Sequence, residues 1–364
     1  MPIGCDFGTM FIVAARKNKE GKTSVTAERN CFFSVGPEFE DMLNASDYRF
    51  VRDIENGEDR LFICGKDALK IANLVGVGKE KLRRPMANMV INSKSDKRAV
   101  KMLKFLSQAV VGPVEYEGEV AVISIPSDPI SGEFNNIFHT NICQSFIKEL
   151  GYEVHVLNEA LSIVYSTNPK TEDEDGETLN MTGIGISWGA GGTNGCLAYR
   201  GVDTIRFSVP RGGDWIDQQT ASVCSLRPSE VIVQKEKKSQ DGIFDLANPN
   251  YGDEVLGGLY IYYRNLVETV VKQFKDEFIE KGTQFTSPIE VVVSGGTSKP
   301  NGFEALVEQV IKEVSWPFEI KGVRRAKDPL SATALGCMTA AQSKEQKRDK
   351  SKEEAKEEAK EEAK

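Results

Sequence analysis

The sequence predicts an α/β protein built from two copies of one unit, and three observations carry that reading. Near the start, Ile3-Gly4-Cys5-Asp6-Phe7-Gly8-Thr9-Met10-Phe11-Ile12-Val13 reads as a strand, a small-residue turn with a hydroxyl, and a second strand. About 180 residues later, Gly183 to Tyr199 repeats the arrangement with a richer turn, Gly189-Ala190-Gly191-Gly192-Thr193. Around both hairpins, short apolar runs of the buried-strand kind alternate with stretches of helical spacing, the pattern of α/β domains with mixed central sheets. Glycine brings backbone close to a ligand, so such turns can aim several N–H groups at one anion. Each hairpin is a candidate phosphate cradle, with the ligand between the copies.

Length and composition bound the answer. A chain of 364 residues suits two domains of roughly 150 to 180 residues each. Its 40% hydrophobic and 27% charged residues are those of a soluble globular protein. No apolar run approaches the roughly 20 residues that span a bilayer, and Met1-Pro2-Ile3 leads directly into a strand, so a cytoplasmic protein is expected and a membrane partner is not indicated. The net charge of −8 belongs to the body, because residues 344–364 carry eight basic and eight acidic side chains. An acidic body argues against nonspecific nucleic-acid binding. Seven dispersed cysteines without a Cys-x-x-Cys pair read as buried thiols. His139 and His155, the only histidines, stand far from any cysteine in metal-ligand spacing.

Taken in order, the first hairpin is followed by a strand near Thr23 to Glu28. The stretch of roughly 30–97 is polar and punctuated by Gly36-Pro37, Asn56-Gly57 and Gly76-Val77-Gly78, too long for a loop; it is expected to form an inserted subdomain. Phe32-Phe33 within it reads as core. Lys97 to Val110 has helical spacing (Val100, Leu103, Leu106, Val110), and Val120 to Ile125 is a buried-type strand. Ser127 is placed to cap a helix carrying Phe134, Ile137, Phe138, Ile142, Phe146 and Leu150, which Gly151 ends. Val154 to Leu157 is the next strand, leading into Asn158-Glu159-Ala160-Leu161 and a short helix. The acidic segment Thr171 to Glu177 reads as an exposed linker. Beyond it come strands to Val209, a helix from Asp214, a long helix over about Asp253 to Lys281, and the strand Ile289 to Val293. The turn Ser294-Gly295-Gly296-Thr297-Ser298, a helix over Phe303 to Val314, and one over Ser331 to Ala341 complete the body. The domains expected are 1–170 and 178–341, followed by a charged helical or disordered tail, 342–364.

On these residues the chain resembles the superfamily of actins, heat-shock chaperones and sugar kinases, and within it most the bacterial actins of the MreB and MamK kind. Asp6-Phe7-Gly8-Thr9 resembles the first phosphate motif, Gly189 to Thr193 the second, Asn158-Glu159-Ala160-Leu161 the first connecting motif, and Ser294 to Thr297 the adenosine motif. Ile125-Pro126-Ser127, Gly212-Gly213-Asp214 with Asp217, and Asp328-Pro329-Leu330 with Ala334-Leu335-Gly336 fit the same pattern; Arg84-Pro85-Met86, Val90-Ile91 and Met102-Leu103 look specifically like MreB. Order and spacing carry the resemblance, since each motif alone recurs by chance. It implies duplicated actin-like (ribonuclease-H-like) domains with a nucleotide cleft between them, binding ATP or ADP with Mg²⁺.

A cleft of that kind needs backbone N–H groups on the phosphates, a carboxylate for magnesium's water shell and a polar residue to orient the attacking water. Asp6 is the candidate magnesium-side carboxylate, acting through water, and Glu159 the candidate catalytic group orienting the water, with Asp6 assisting. Gly8, Thr9, Gly189, Gly191, Gly192 and Thr193 are the candidate phosphate residues; the resemblance adds Gly213 and Asp214, and Gly295, Gly296 and Thr297 are placed on the nucleoside. The pattern departs from the family at Ser187, where an aspartate is usual, at Asn194, where an acid is frequent, and at Ala190. Losing a carboxylate beside the metal weakens alignment of the water more than phosphate cradling, so binding is expected to survive and hydrolysis to be slow or absent.

Two function classes follow. The resemblance to MreB implies a nucleotide-dependent, self-assembling cytoskeletal filament; the alternative is a non-polymerising, chaperone-like nucleotide-binding adaptor. The tail from Lys352 to Lys364 repeats Lys-Glu-Glu-Ala with period four, which predicts a short, fraying helix with no apolar face to dock on the body.

Overall fold

β-Branched and small apolar residues dominate the first strand pair, and a sheet can bury such strands on both faces. The computed structural model describes residues 1–364 apart from 75–81, 94–95, 130–131, 133–134, 168–170, 173–177, 180, 282–287 and 363–364, and describes backbone alone at 73–74, 171–172, 178–179 and 352–362. Gly76 to Gly78, Phe134 and the acidic residues Asp173 to Glu177 therefore lie outside the described residues.

β1 (Ile3–Phe7), β2 (Phe11–Lys17) and β3 (Thr23–Arg29) form an antiparallel meander. The stretch 30–97 then folds through β4 (Phe32–Val35), α1 (Glu40–Ala45), β5 (Phe50–Glu55), β6 (Glu58–Cys64), α2 (Lys66–Leu74) and the short pair β7 (Met86–Ala87) and β8 (Val90–Ile91). A three-stranded sheet of order β4-β6-β5 holds it together. Phe33, Leu43, Leu61 and Ile63 make a separate cluster there, and Phe32 packs into the main core. α3 (Ala99–Val111), β9 (Val120–Ile125), α4 (Ile137–Lys148), β10 (Glu153–Asn158) and α5 (Glu159–Thr167) follow, and β11 (Thr171–Glu172) pairs with β12 (Thr178–Leu179). The completed first sheet has the order β10-β9-β1-β2-β3, with β9 parallel to β1 and β10 parallel to β9.

The second half repeats this. β13 (Gly183–Trp188), β14 (Thr193–Tyr199) and β15 (Val202–Val209) form the meander, and α6 (Gly213–Val223), α7 (Pro228–Gln240) and α8 (Glu254–Glu280) cover it. β16 (Ile289–Ser294), α9 (Phe303–Val314), β17 (Ile320–Arg325) and α10 (Ala332–Glu362) follow. The sheet order β17-β16-β13-β14-β15, with β16 and β17 running parallel to β13, matches the first sheet strand for strand. Its core is large and aromatic: Trp188 meets Phe303 edge-on at 5.2 Å, and Phe207 meets Phe274 at 5.8 Å.

The halves exchange their last helices. α5 follows the first sheet in the chain yet packs on β13 and β14, whereas α10 follows the second sheet and packs on β1 and β9; the two helices also pack on each other. Gly336 permits that crossing, because a Cβ there would collide with the carbonyl of Ser162.

Two expectations are corrected, and two elements are added. Ser127 does not cap α4, which begins ten residues later at Ile137 with Asn136 before it; instead the Ser127 hydroxyl accepts from Asn158 Nδ2 at 2.7 Å. α7 and β17 were not foreseen. The tail is no separate short helix: α10 continues through it to Glu362, and the residues that precede the repeat touch the body, since Arg348 pairs with Glu153 at 2.9 Å and donates to the Gly118 carbonyl, while Tyr116 donates to Glu345 at 2.5 Å.

Candidate functional site

Both hairpin turns are closed by one short hydrogen bond, and that closure leaves the tip amides free. In the first turn the Gly8 N–H donates to the Phe11 carbonyl at 2.9 Å; in the second, the Gly189 N–H donates to the Gly192 carbonyl at 2.9 Å. Among the described residues, the N–H groups of Thr9, Met10, Ala190, Gly191 and Gly192 meet no acceptor. Thr9, Gly191 and Gly192 are buried, and buried backbone donors are almost always satisfied, so the unpartnered amides of the two facing tips mark a candidate anion site. The second turn is fixed from behind by its carbonyls. Gly189 O accepts from Gly213 N at 3.0 Å and from Thr297 Oγ1 at 2.8 Å, and Ala190 O accepts from Asp214 N at 2.9 Å. Gly191 needs to lack a side chain, since its Cβ would press on Thr9 Oγ1 and the Met89 amide.

The two turns face one cavity of about 560 Å³, in the range of small-molecule sites. The first turn supplies Asp6, Gly8 and Thr9, and the second Gly189, Gly191 and Gly192. Glu159 comes from the start of α5, Gly213 and Asp214 from the start of α6, and Gly295, Gly296 and Thr297 from the turn after β16. Thr193 is the expected residue that does not line it: its hydroxyl donates to the Arg211 carbonyl at 3.0 Å and the side chain is fully buried.

Asp6 and Glu159 stand at the base of the cavity. Burial pushes the Asp6 carboxyl up to about 6, against the hydrogen bond that Ser124 Oγ donates to Oδ1 at 2.8 Å. Burial pushes Glu159 further, up to about 8; the nearby Asp6 charge adds to the rise and Ser187 opposes it. Ser187 Oγ donates to Glu159 Oε1 at 2.7 Å, and Asn194 Nδ2 donates to Oε2 at 2.9 Å. Two of the three positions that depart from the family pattern, Ser187 and Asn194, are therefore the ones that hold Glu159. A serine hydroxyl can donate to a carboxylate or accept from a carboxylic acid, so it tolerates either protonation state; an aspartate there would set a second charge against the first.

Side chains also reach across the cavity. Arg84 pairs with Asp214 at 2.6 Å. Asn88 and Met89, both with positive φ (48° and 71°), form the two-residue turn between β7 and β8, where glycine is normally preferred at the second place. This seats Met89 on Gly192, and Asn194 Nδ2 approaches its sulfur at 3.3 Å. α7 contributes one face, Ile232, Lys235, Glu236, Ser239 and Gln240, with Lys235 bridging both oxygens of Asp217 at 2.6 and 2.8 Å. The sequence held a signal for α7: Pro228 at the first helical position and Glu230 two residues later, whose carboxylate accepts from the Arg227 amide at 2.8 Å. Among the described residues no group of three or more His, Cys, Asp or Glu side chains could hold a metal ion. The cysteines are free thiols, all buried except the half-buried Cys224, and no described helix is long and apolar enough to cross a membrane.

Solved structures share this architecture. The MamK double helical filament has a TM-score of 0.65 at 16% identity, covering 93% of this chain and 98% of that one. MreB5 of Spiroplasma citri bound to AMPPNP gives 0.62 at 13% identity, with 96% and 98% covered. The ethanolamine utilization protein EutJ from Carboxydothermus hydrogenoformans gives 0.54 at 15%, with 93% and 89% covered. No curated protein matched the chain. The mixed α/β fold is that of the bacterial actin-like proteins. The volactin family matches residues 1–341, and the chain belongs to that family.

Proposed function

We propose that this chain is an ATP-binding cytoskeletal protein that assembles with itself into nucleotide-dependent filaments. The observation that carries the reading is the pair of facing turns, whose five residues with unpartnered N–H groups line one cavity together with Asp6. In this reading residues 1–170 and 178–341 are the two domains, 30–97 is an insertion available for subunit contacts, and the cleft binds ATP or ADP. The similar MamK structure is a filament and the similar MreB5 structures hold AMPPNP or ADP, which supports the proposal without carrying it.

Mg²⁺ fits the residues present as a water-shelled ion. Asp6 Oδ2 has no hydrogen-bond partner among the described residues, and magnesium commonly keeps most of its waters and takes one carboxylate plus phosphates. Bound there, it would neutralise charge on the phosphates. Thr9, Gly191 and Gly192 supply backbone donors, Gly295 to Thr297 and the α7 face bound the nucleoside end, and Glu159 faces the water. An ionised Glu159 has lone pairs left beyond those used by Ser187 and Asn194. Held protonated near neutral pH, however, it is a poor acceptor for the water's proton, so turnover is slow. The body's acidity argues against nonspecific nucleic-acid binding, and the compartment we assign is the cytoplasm.

Sedimentation at increasing protein concentration with ATP, AMPPNP or no nucleotide tests the proposal. Pelleting that depends on both nucleotide and concentration is expected. A chain that binds ATP and stays in the supernatant throughout is instead the non-polymerising adaptor.

A further inference from the structure

The cavity is poor in positive charge for a site that takes a polyphosphate. Its described carboxylates are Asp6, Glu159, Asp214, Asp217 and Glu236, and its cations Arg29, Lys235 and Lys299. Lys235 is committed to Asp217. Lys299 follows the Gly296–Ser298 turn, on the nucleoside side. Arg29 is different. It ends β3 opposite Phe11 in the β2–β3 register, which brings its guanidinium beside the first turn. There it lies 5.2 Å from the Phe11 ring centroid, with Nη1 4.0 Å from the Met10 sulfur. Among the described residues its guanidinium meets no carboxylate, whereas other half-buried arginines of the first half do: Arg83 pairs with Asp96 and Glu55, Arg84 with Asp214, Arg98 with Glu55.

A half-buried guanidinium set over a ring and beside a thioether keeps most of its five N–H donors for something else. The adjacent unpartnered amides of Thr9 and Met10 make the same demand, and both are met by one phosphate group. We propose that Arg29 binds the terminal phosphate of a nucleoside triphosphate and is the residue that distinguishes triphosphate from diphosphate in this cleft. The inference rests on the nucleotide reading above. It supplies the cation that the first turn, with its Asp6 carboxylate and no lysine, otherwise lacks; the second strand carries Val13 toward the cavity, not a cation.

The test is calorimetric titration of the full chain with Mg-ATP and with Mg-ADP for wild type, Arg29→Ala and Arg29→Lys. Arg29→Ala is expected to weaken ATP at least ten-fold and to leave ADP within about two-fold, with Arg29→Lys recovering most of the ATP affinity. Equal weakening of both nucleotides makes Arg29 a support for the Phe11 turn and overturns the proposal; so does unchanged ATP binding. If Arg29→Ala does not fold, Arg29→Gln carries the same two titrations. Wild type that binds neither nucleotide overturns the cleft reading itself, a failure distinct from normal wild-type binding that Arg29 does not influence.

Discussion

Replacing Glu159 by glutamine isolates the electrostatics of the cleft. Burial keeps Glu159 protonated in the folded chain up to about 8, against an ordinary value of 4.5. Between those values the native state binds the extra proton, so stability falls as pH rises, by about 1.4 kcal/mol per unit. Two neighbouring effects set the useful window. His139, held neutral by burial down to about 4, makes stability rise with pH up to its ordinary 6.5, and Asp6, raised to about 6, acts below that. From pH 6.5 to 8 the Glu159 effect dominates, and the nucleotide-free wild type should lose about 2 kcal/mol, or about 4 °C in Tm at about 2 °C per kcal/mol. Glutamine cannot ionise, and its amide keeps both contacts, Nε2–H donating to the Ser187 hydroxyl and the carbonyl oxygen accepting from Asn194 Nδ2. The two stability curves therefore diverge: Glu159→Gln matches wild type at pH 6.5 and is the more stable protein at pH 8, by about 2 kcal/mol. Urea unfolding at four pH values measures both. Parallel curves, or a wild type whose stability does not change across the window, would refute the buried, proton-holding Glu159.

Saturating Mg-ATP, at about 100 times its Kd, should stabilise the chain by about 2.7 kcal/mol, and Asp6→Ala should remove most of the Mg²⁺-dependent part, read by thermal unfolding with and without EDTA. No shift with any nucleotide contradicts the site. Ser187→Asp sets a second acid beside Glu159, so the apo protein should melt lower while Mg-ATP turnover rises; phosphate release equal to wild type removes the meaning given to Ser187. Truncation after residue 351 should leave Tm unchanged. Truncation after residue 343 also loses the Arg348 and Glu345 contacts, and as partly exposed pairs these contribute about 1 kcal/mol at most, a fall of about 2 °C. Gly336→Ala drives a methyl into the Ser162 carbonyl and should cost several kcal/mol, seen as loss of soluble protein or a Tm drop of several degrees; a neutral outcome means that α5 and α10 do not cross there.

What the sequence made legible was local. Val120–Ile125 and Phe303–Val314 announce themselves by an apolar run and by helical periodicity, and their ends agree with the structure residue for residue. The two glycine turns were visible because glycine is the residue that a close backbone approach requires. β17 was missed because Ile320-Lys321-Gly322-Val323-Arg324-Arg325 is half charged, and its edge position lets Arg324 reach Glu290 at 2.8 Å across the neighbouring strand. α7 was missed because its exposed face is almost all lysine and glutamate, leaving Val231 as its one fully buried apolar side chain. Least legible was the exchange of α5 and α10, since no local pattern states which sheet a helix will cover. Yet that exchange ties the two halves to the cleft. Glu159 is the first residue of α5, so the helix that carries it rests on the sheet of the second turn while its chain continues from the sheet of Asp6. Ser187 and Asn194 belong to the strands that α5 covers, and through Glu159 they hold the helix start at the seam. A change in the spacing of the halves would therefore also strain the hydrogen bonds of Glu159, and a nucleotide gripping both turns would act on that spacing and on the protonation of Glu159 together.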